Sequence, residues 1–316
     1  MADEIALVTG GAGFIGSNLV RALVARGVTV RVLDDFSTGT KENLADVGDL
    51  ELMIGDIRDD ETVRRAVEGV RIVYHVAADP SVPRSVADPQ RTHDINATGT
   101  LTVLLAARSA NVERLVYASS SAVYGDADAF PTTEGAEVRP VSPYGASKLA
   151  GEVYCRSFSQ VYGFPTVSLR YFNVFGPGQA ADSYYVVPQF VRALLCGEPA
   201  NVEGDGSQTR DFVFVDDVVE ATILAATAGP TVVGRAINVG SGQRASIMRI
   251  LELLEGITGG RRPPLRRQPP RIGDVHHTHA NIDAAGRDLG YAPRFDLPMG
   301  LENTVRWLRP RLPRAG

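Results

Sequence analysis

The sequence predicts an α/β protein built on a doubly wound parallel sheet, and three observations carry that prediction. Short apolar runs alternate with amphipathic stretches through the first half of the 316 residues. A glycine-rich turn, Thr9-Gly10-Gly11-Ala12-Gly13-Phe14-Ile15-Gly16, follows the first run and opens a helical pattern. An aspartate, Asp34, closes the second run about 20 residues further on.

The first strand is expected at Ile5–Val8, with Ile15, Leu19 and Leu23 on one face of the helix after it. Further strands are expected at Val28–Leu33, Leu50–Ile54, Ile72–Val76, Leu115–Ala118 and Thr166–Tyr171. Such repetition builds a parallel sheet with helices on both faces. The second half is richer in turns. Tyr184–Leu195, Asp216–Ala226, Ser246–Gly256 and Met299–Leu308 read as helices. Phe212–Val215 and Ala236–Val239 read as strands that rejoin the first sheet. The arginine- and proline-rich Arg261–Arg271 stretch reads as a connecting segment. No internal repeat is found, and a discontinuous division follows. One unit takes residues 1–172 with about 209–240, and a smaller one about 173–208 with 241–316.

Composition narrows the function classes. A net charge of -5 gives no reason to expect a nucleic-acid partner. No apolar run reaches the ~18 residues of a membrane span. The opening MADEIALVTGG lacks a basic leader and a cleavable apolar stretch. Two cysteines, Cys155 and Cys196, argue against a disulfide framework and fit a reducing cytoplasm. They read as packing residues. His276, His277 and His279 cluster without a carboxylate or cysteine at ligand spacing, so no metal site is expected. His75, ending an apolar strand, reads as a buried packing residue.

The glycine turn can approach a pyrophosphate closely, and the helix N-terminus behind it offers unpaired N–H groups to phosphate. With 32 glycines, the bare pattern arises by chance roughly 0.3 times in such a chain, so its weight comes from its place on the first strand–helix turn. Asp34 can accept from an adenosine ribose and would repel a 2′-phosphate, which favours NAD over NADP.

Ser142-Pro143-Tyr144-Gly145-Ala146-Ser147-Lys148 opens a helix with Tyr144 and Lys148 on one face. A tyrosine acts as a base only when its pKa falls well below ~10, and a nearby ammonium favours the phenolate. Only two lysines, Lys41 and Lys148, stand among 32 basic residues, so a chance Tyr-x-x-x-Lys match is expected about 0.06 times. Arginine would not substitute cleanly there. Ser119, Ser120 and Ser121 follow a strand, where a hydroxyl could bond a reacting sugar hydroxyl.

These residues, in this order, resemble the extended short-chain dehydrogenase/reductase family over nearly the whole chain. Within it the sequence is most similar to UDP-hexose 4-epimerases, particularly those accepting UDP-N-acetylglucosamine. Supporting stretches include TGGAGFIG, GDI at Gly55–Ile57, SVPRS at Ser81–Ser85, SSSAVYG, SPYGASK, RYFNVFGPGQ at Arg170–Gln179, GDGSQTRDFVFVDD at Gly204–Asp217 and RIGDV at Arg271–Val275. The resemblance implies a Rossmann-type sheet carrying NAD and a smaller C-terminal α/β domain carrying the nucleotide sugar. Gly10, Gly13, Phe14, Ile15 and Gly16 would hold the cofactor phosphates. Asp34 and the residues after it, Asp35, Phe36, Ser37, Thr38 and Gly39, would form the adenosine end. Asp56 and Ile57 would flank the adenine, and Ala77, Ala78, Asn96 and Ser119 would line the cofactor beside Phe172.

Tyr144, Lys148 and Ser120 take the family's catalytic places, with Ser119 and Ser121 as near rivals of Ser120. Asn173, Arg210 and Arg271 would hold the diphosphate and Asp274 the uridine ribose. Val187, Asn201 and Glu203 complete the substrate contacts with Ser121 and Ser81. Thr278 falls where the family places a gate beside the C2 substituent, and threonine there leaves room for an N-acetyl group. The implied reaction oxidises the C4 hydroxyl, turns the 4-keto sugar about its diphosphate and reduces it on the other face. Ser121 and Ala122 follow the catalytic serine where related dehydratases and decarboxylases carry an acid. Asn173 with Gly176-Pro177-Gly178 departs from the UDP-glucuronate 4-epimerase pattern. A homodimer packed through helices Asp88–Ala110 and Tyr144–Tyr162 is also implied. The other expectations are another nucleotide-sugar epimerase or reductase, acting on UDP-glucuronate or a dTDP-sugar, and a non-catalytic NAD-binding regulator.

Overall fold

A computed structural model describes residues 5–313 apart from 49, 182 and 184. Strand β1 (Ile5–Thr9) leads through the glycine turn into α1 (Phe14–Val24), followed by β2 (Thr29–Asp34). Next come β3 (Glu51–Ile54), α2 (Asp60–Val67) and β4 (Val70–His75). Three helical pieces, α3 (Val82–Ala87), α4 (Pro89–His93) and α5 (Gly99–Ser109), lead to β5 (Arg114–Ser120). The long α6 (Pro143–Tyr162) then delivers β6 (Thr166–Tyr171). Beyond it lie β7 (Asn173–Phe175), α7 (Val186–Cys196), β8 (Ala200–Glu203), β9 (Thr209–Arg210) and β10 (Phe212–Phe214). Helix α8 (Val215–Thr227), β11 (Ala236–Val239), β12 (Ala245–Ser246) and α9 (Ile247–Thr258) follow. The chain finishes with β13 (Leu265–Gln268), α10 (Asp283–Leu289) and α11 (Leu297–Leu308).

Seven strands form one parallel sheet in the order β3-β2-β1-β4-β5-β6-β11. Strand order reverses between β1 and β4, and in open α/β sheets ligands bind outside the carboxyl ends at such a point. Both faces are covered over the inner strands, which divide their apolar side chains between two cores, while the edge strand β3 is largely exposed. On β1, Ala6 and Val8 enter one core and Leu7 the other. On β5, Val116 and Ala118 pack with α8, whereas Leu115 and Tyr117 pack with α5 and α6.

The structure departs from expectation in three places. Ala236–Val239 joins the main sheet, but β10 pairs instead with β7 in a separate two-stranded ladder. The Arg261–Arg271 stretch is not merely a connection: β13 within it pairs in parallel with β8. Arginine and proline masked a four-residue strand whose exposed side chains carry no apolar alternation. The expected helix across Asp88–Ala110 is interrupted by a π-helical turn at Asp94–Thr98, between α4 and α5. Helix α7 begins at Val186, and the expected start at Tyr184 lies outside the described residues. Among the described residues no helix is long and apolar enough to cross a membrane.

Candidate active site

The dinucleotide cradle forms where β1 meets α1. Gly10 adopts φ +70°, and a Cβ there would stand 2.7 Å from the backbone of Ala77, so the turn nests directly against the end of β4. A Cβ on Gly16 would collide with the Gly10 carbonyl. Helix α1 starts at Phe14 with no side-chain cap and no acidic residue in its first turn, leaving its N–H groups and dipole to an anion. These features fit the diphosphate of a dinucleotide.

Asp34, buried at the end of β2, accepts from Ala12 N at 2.8 Å and Phe36 N at 2.8 Å. Burial pushes its carboxyl up, and the two backbone amides oppose that push. Its oxygens thus brace the glycine turn. Phe36 sits at φ 55°, Ser37 N bonds Asp35 Oδ1 at 2.9 Å, and Gly39 packs on Ala12, folding the Asp35–Gly39 segment over the turn. Asp56 pairs with Arg58, whose hydrogen bonds hold that carboxyl low, while Ile57 is buried beneath Gly99.

Asn96 does not present its amide to the cleft. It accepts from Asp79 N at 2.7 Å and donates to Asp79 O and Ser147 Oγ, tying the loop after β4 to α6 beside Ala77 and Ala78. His75 is more than packing. The Thr100 hydroxyl donates to Asn96 O at 2.6 Å, so it accepts from His75 Nε2, and Nδ1 accepts from Thr9 at 2.7 Å. Burial, reinforced by Lys148, pushes this histidine down to about 3, so it is a neutral spacer under the cradle.

The catalytic candidates converge on the same end of the sheet. Ser142 caps α6 by accepting from Gly145 N at 3.1 Å, and Pro143 occupies the first turn. Tyr144 lines the cleft together with Ser120 and Ser121. Lys148 lies one turn deeper, 3% exposed, donating to Ala118 O at 2.8 Å. Burial pushes it down to about 7. Ser119 turns inward and donates to Glu152 at 2.5 Å, whereas Ser120 accepts from Ala122 N at 3.2 Å at the rim.

The cleft continues into the C-terminal elements as a cavity of about 450 Å³, within the range of small-molecule sites. Phe172, Asn173, Val187, Asn201, Glu203, Arg210, Arg271, Asp274 and Thr278 all line it, as do Phe14 and Ile15 from the glycine turn. Ser81 does not line it. Its hydroxyl caps α3 by accepting from Arg84 N, and its neighbours Pro80 and Val82 meet the cleft instead. Arg210 pairs with Asp274 at 3.0 Å and Arg271 pairs with Glu203. Thr278 accepts from Asp211 N at 3.1 Å and donates to Asn173 Oδ1 at 3.2 Å, which directs the Asn173 amide nitrogen. Gln179 and Tyr185 also line the cleft and were not singled out from sequence. The Gly176-Pro177-Gly178 turn before Gln179 was the available signal, since a strained turn often delivers a side chain to a site. Among the described residues no group of three or more His, Cys, Asp or Glu could hold a metal.

A glycine turn at the switch point, with a Tyr-x-x-x-Lys helix beside it, defines a dinucleotide-dependent protein of the extended short-chain dehydrogenase type. A model of the NAD dependent epimerase/dehydratase family matches residues 6–240. The UDP-glucose 4-epimerase of Mycolicibacterium smegmatis is 41% identical over 309 residues, covering 96% of this chain and 98% of its own. A UDP-N-acetylglucosamine 4-epimerase from Methanobrevibacter ruminantium M1, in complex with UDP-N-acetylmuramic acid, superposes with a TM-score of 0.92 at 35% identity, covering 99% of this chain and 100% of its own. The UDP-glucose 4-epimerase of Thermus thermophilus, in complex with NAD, superposes with a TM-score of 0.90 at 37% identity over 96% and 99% of the two chains. The chain belongs to the NAD-dependent epimerase/dehydratase family. Its cofactor is NAD, and the relatives named above are UDP-sugar 4-epimerases.

Proposed function

We propose that the chain interconverts the C4 epimers of UDP-hexoses, taking both UDP-glucose/UDP-galactose and UDP-N-acetylglucosamine/UDP-N-acetylgalactosamine. The observation that carries this reading is one cleft lined by Tyr144 and Ser120 together with Arg210, Arg271 and Asp274. In this reading residues 1–172 with about 209–240 carry NAD, and about 173–208 with 241–316 carry the sugar nucleotide.

Bound NAD supplies the two-electron acceptor for C4. Tyr144 takes the proton of the 4-hydroxyl, and Lys148 beneath it favours the phenolate while it carries its own proton. Ser120 bonds the same hydroxyl and fixes its direction. Arg210 and Arg271 grip the diphosphate, for which they must loosen from Asp274 and Glu203. Asp274 is then free to accept from ribose hydroxyls. With the diphosphate held, the 4-keto sugar turns about its linkage, so that the hydride taken up by the cofactor would return to the opposite face of C4 while Tyr144 gives the proton back to O4. Thr278 leaves the C2 side open for an N-acetyl group.

The same reading includes a homodimer. The outward sides of α5 and α6 expose Leu105, Val153, Tyr154, Val161 and Tyr162, the apolar surface a four-helix seam needs.

The deciding experiment incubates purified protein, without added NAD, with UDP-glucose, UDP-N-acetylglucosamine and UDP-glucuronate separately, following products by proton NMR. Appearance of the first two C4 epimers is expected. Turnover of UDP-glucuronate alone, or of none of the three with NAD added, would overturn the reading.

A further inference from the structure

A buried ion pair lies directly behind the catalytic candidates. Glu152 follows Tyr144 and Lys148 along α6 at successive four-residue steps, and so continues their stripe into the protein. Arg170 on β6 is register partner to Ser119 on β5, so both side chains face α6. The guanidinium meets Glu152 through Nε at 2.9 Å and Nη2 at 2.8 Å. Both residues are more than nine-tenths buried.

The pair also holds the serine loop at both ends. Ser119 donates to Glu152 at 2.5 Å. Tyr124 accepts from Arg170 Nη1 at 2.8 Å and donates to Asn238 Oδ1 at 2.7 Å. Residues Ser120–Val123 are therefore clamped between two anchors on one ion pair. A buried pair of this kind contributes little net stability compared with well-packed apolar side chains, so a specific positioning role explains it better.

We propose that Glu152 and Arg170 are positioning residues of the active site, turning Ser119 inward so that Ser120 is the serine presented to the sugar, and placing a buried carboxylate beside Lys148. The groups facing Lys148 are Tyr117 on β5, His75 on β4, and Glu152 and Cys155 on α6, with Arg170 on the far side of Glu152. His75 is neutral, and burial pushes the Cys155 thiol up to about 12, so Glu152 supplies the negative charge among them. That charge works against burial and keeps Lys148 protonated to higher pH.

The inference rests on the epimerase reading, so wild-type turnover of UDP-glucose and UDP-N-acetylglucosamine is measured first, and its absence overturns both. Given turnover, E152Q is expected to lower kcat about tenfold or more with KM and bound NAD unchanged. Its alkaline limb of kcat should move at least about half a pH unit lower. R170K keeps the charge but not the full fork, and should show an intermediate kcat with the limb in place. Wild-type kcat in folded E152Q, or a loss explained by a lower Tm with the limb unmoved, overturns the positioning role. If E152Q does not fold, Y124F decides, because it releases the far anchor and leaves the ion pair intact. A severalfold loss of kcat at constant KM supports the clamp, and an unchanged kcat overturns it.

Discussion

Replacing Lys148 with methionine should make the protein more stable near neutral pH while sharply lowering turnover. The side chain is 3% exposed, and burial takes its pKa from 10.5 to about 7. Between those values the unfolded chain holds a proton that the folded protein does not. Wild-type stability contributed by this group therefore rises with pH across that window, and the burial penalty is fullest below about pH 7. At ~1.36 kcal/mol per pKa unit the penalty is at most about 5 kcal/mol. The lost bond to Ala118 O gives back roughly 1 kcal/mol. A net gain of about 2–4 kcal/mol at pH 6 is expected for K148M, or roughly 4–8 °C in Tm. The assay is a pair of melting curves, wild type and K148M with saturating NAD, at pH 6, 7, 8 and 9. The gap should be widest at pH 6 and 7 and then narrow by about 3 °C per unit. A gap that stays constant from pH 6 to 9 would refute the reasoning, because Lys148 would not be changing charge in that window. Activity should fall about a hundredfold or more.

Tyr144→Phe should lower kcat by about 10²–10⁴ while calorimetry still finds UDP-sugar binding; near-normal turnover would remove Tyr144 as the base. Thr278→Tyr should lose UDP-N-acetylglucosamine turnover at least about tenfold while keeping most UDP-glucose turnover, read by proton NMR with each substrate. An equal loss on both sugars would mean that the tyrosine disturbs Asn173 rather than closing a gate. Light scattering should give a mass twice that of the chain, and Val153→Asp with Val161→Asp on α6 should bring it to one chain without lowering NAD content.

The main sheet was legible because its inner strands are buried on both faces and read as continuous apolar runs between helical patterns. Ile5, Thr166–Tyr171 and Ala236–Val239 fall where expected for that reason. Strand β13 was not legible, because Arg266, Arg267 and Gln268 lie at a two-stranded edge and face solvent. The cleft residues were legible through motifs with a chemical reason, such as Tyr144 and Lys148 at one helical step. The partners of Asn96, Ser81 and Ser119 were not, because their hydrogen bonds reach residues distant in sequence or depend on the local turn of one helix cap. Glu152 illustrates the difference. In sequence it is an ordinary helix-face glutamate, and only the register of β5 against β6 brings Arg170 and Ser119 to it.

Asp34 carries a consequence for how this enzyme could change. The carboxylate suited to discriminate against a phosphorylated ribose also fastens Ala12 and Phe36, and with them the turn that receives the cofactor. A single exchange intended to admit NADP would remove that brace together with the repulsive charge. If Asp34 also excludes the 2′-phosphate, cofactor choice and loop order meet in one side chain, and an evolutionary path to the other dinucleotide must rebuild the Asp35–Gly39 segment at the same time. Laboratory selection for NADP use should accordingly recover paired changes at Asp34 and in that segment more often than changes at Asp34 alone.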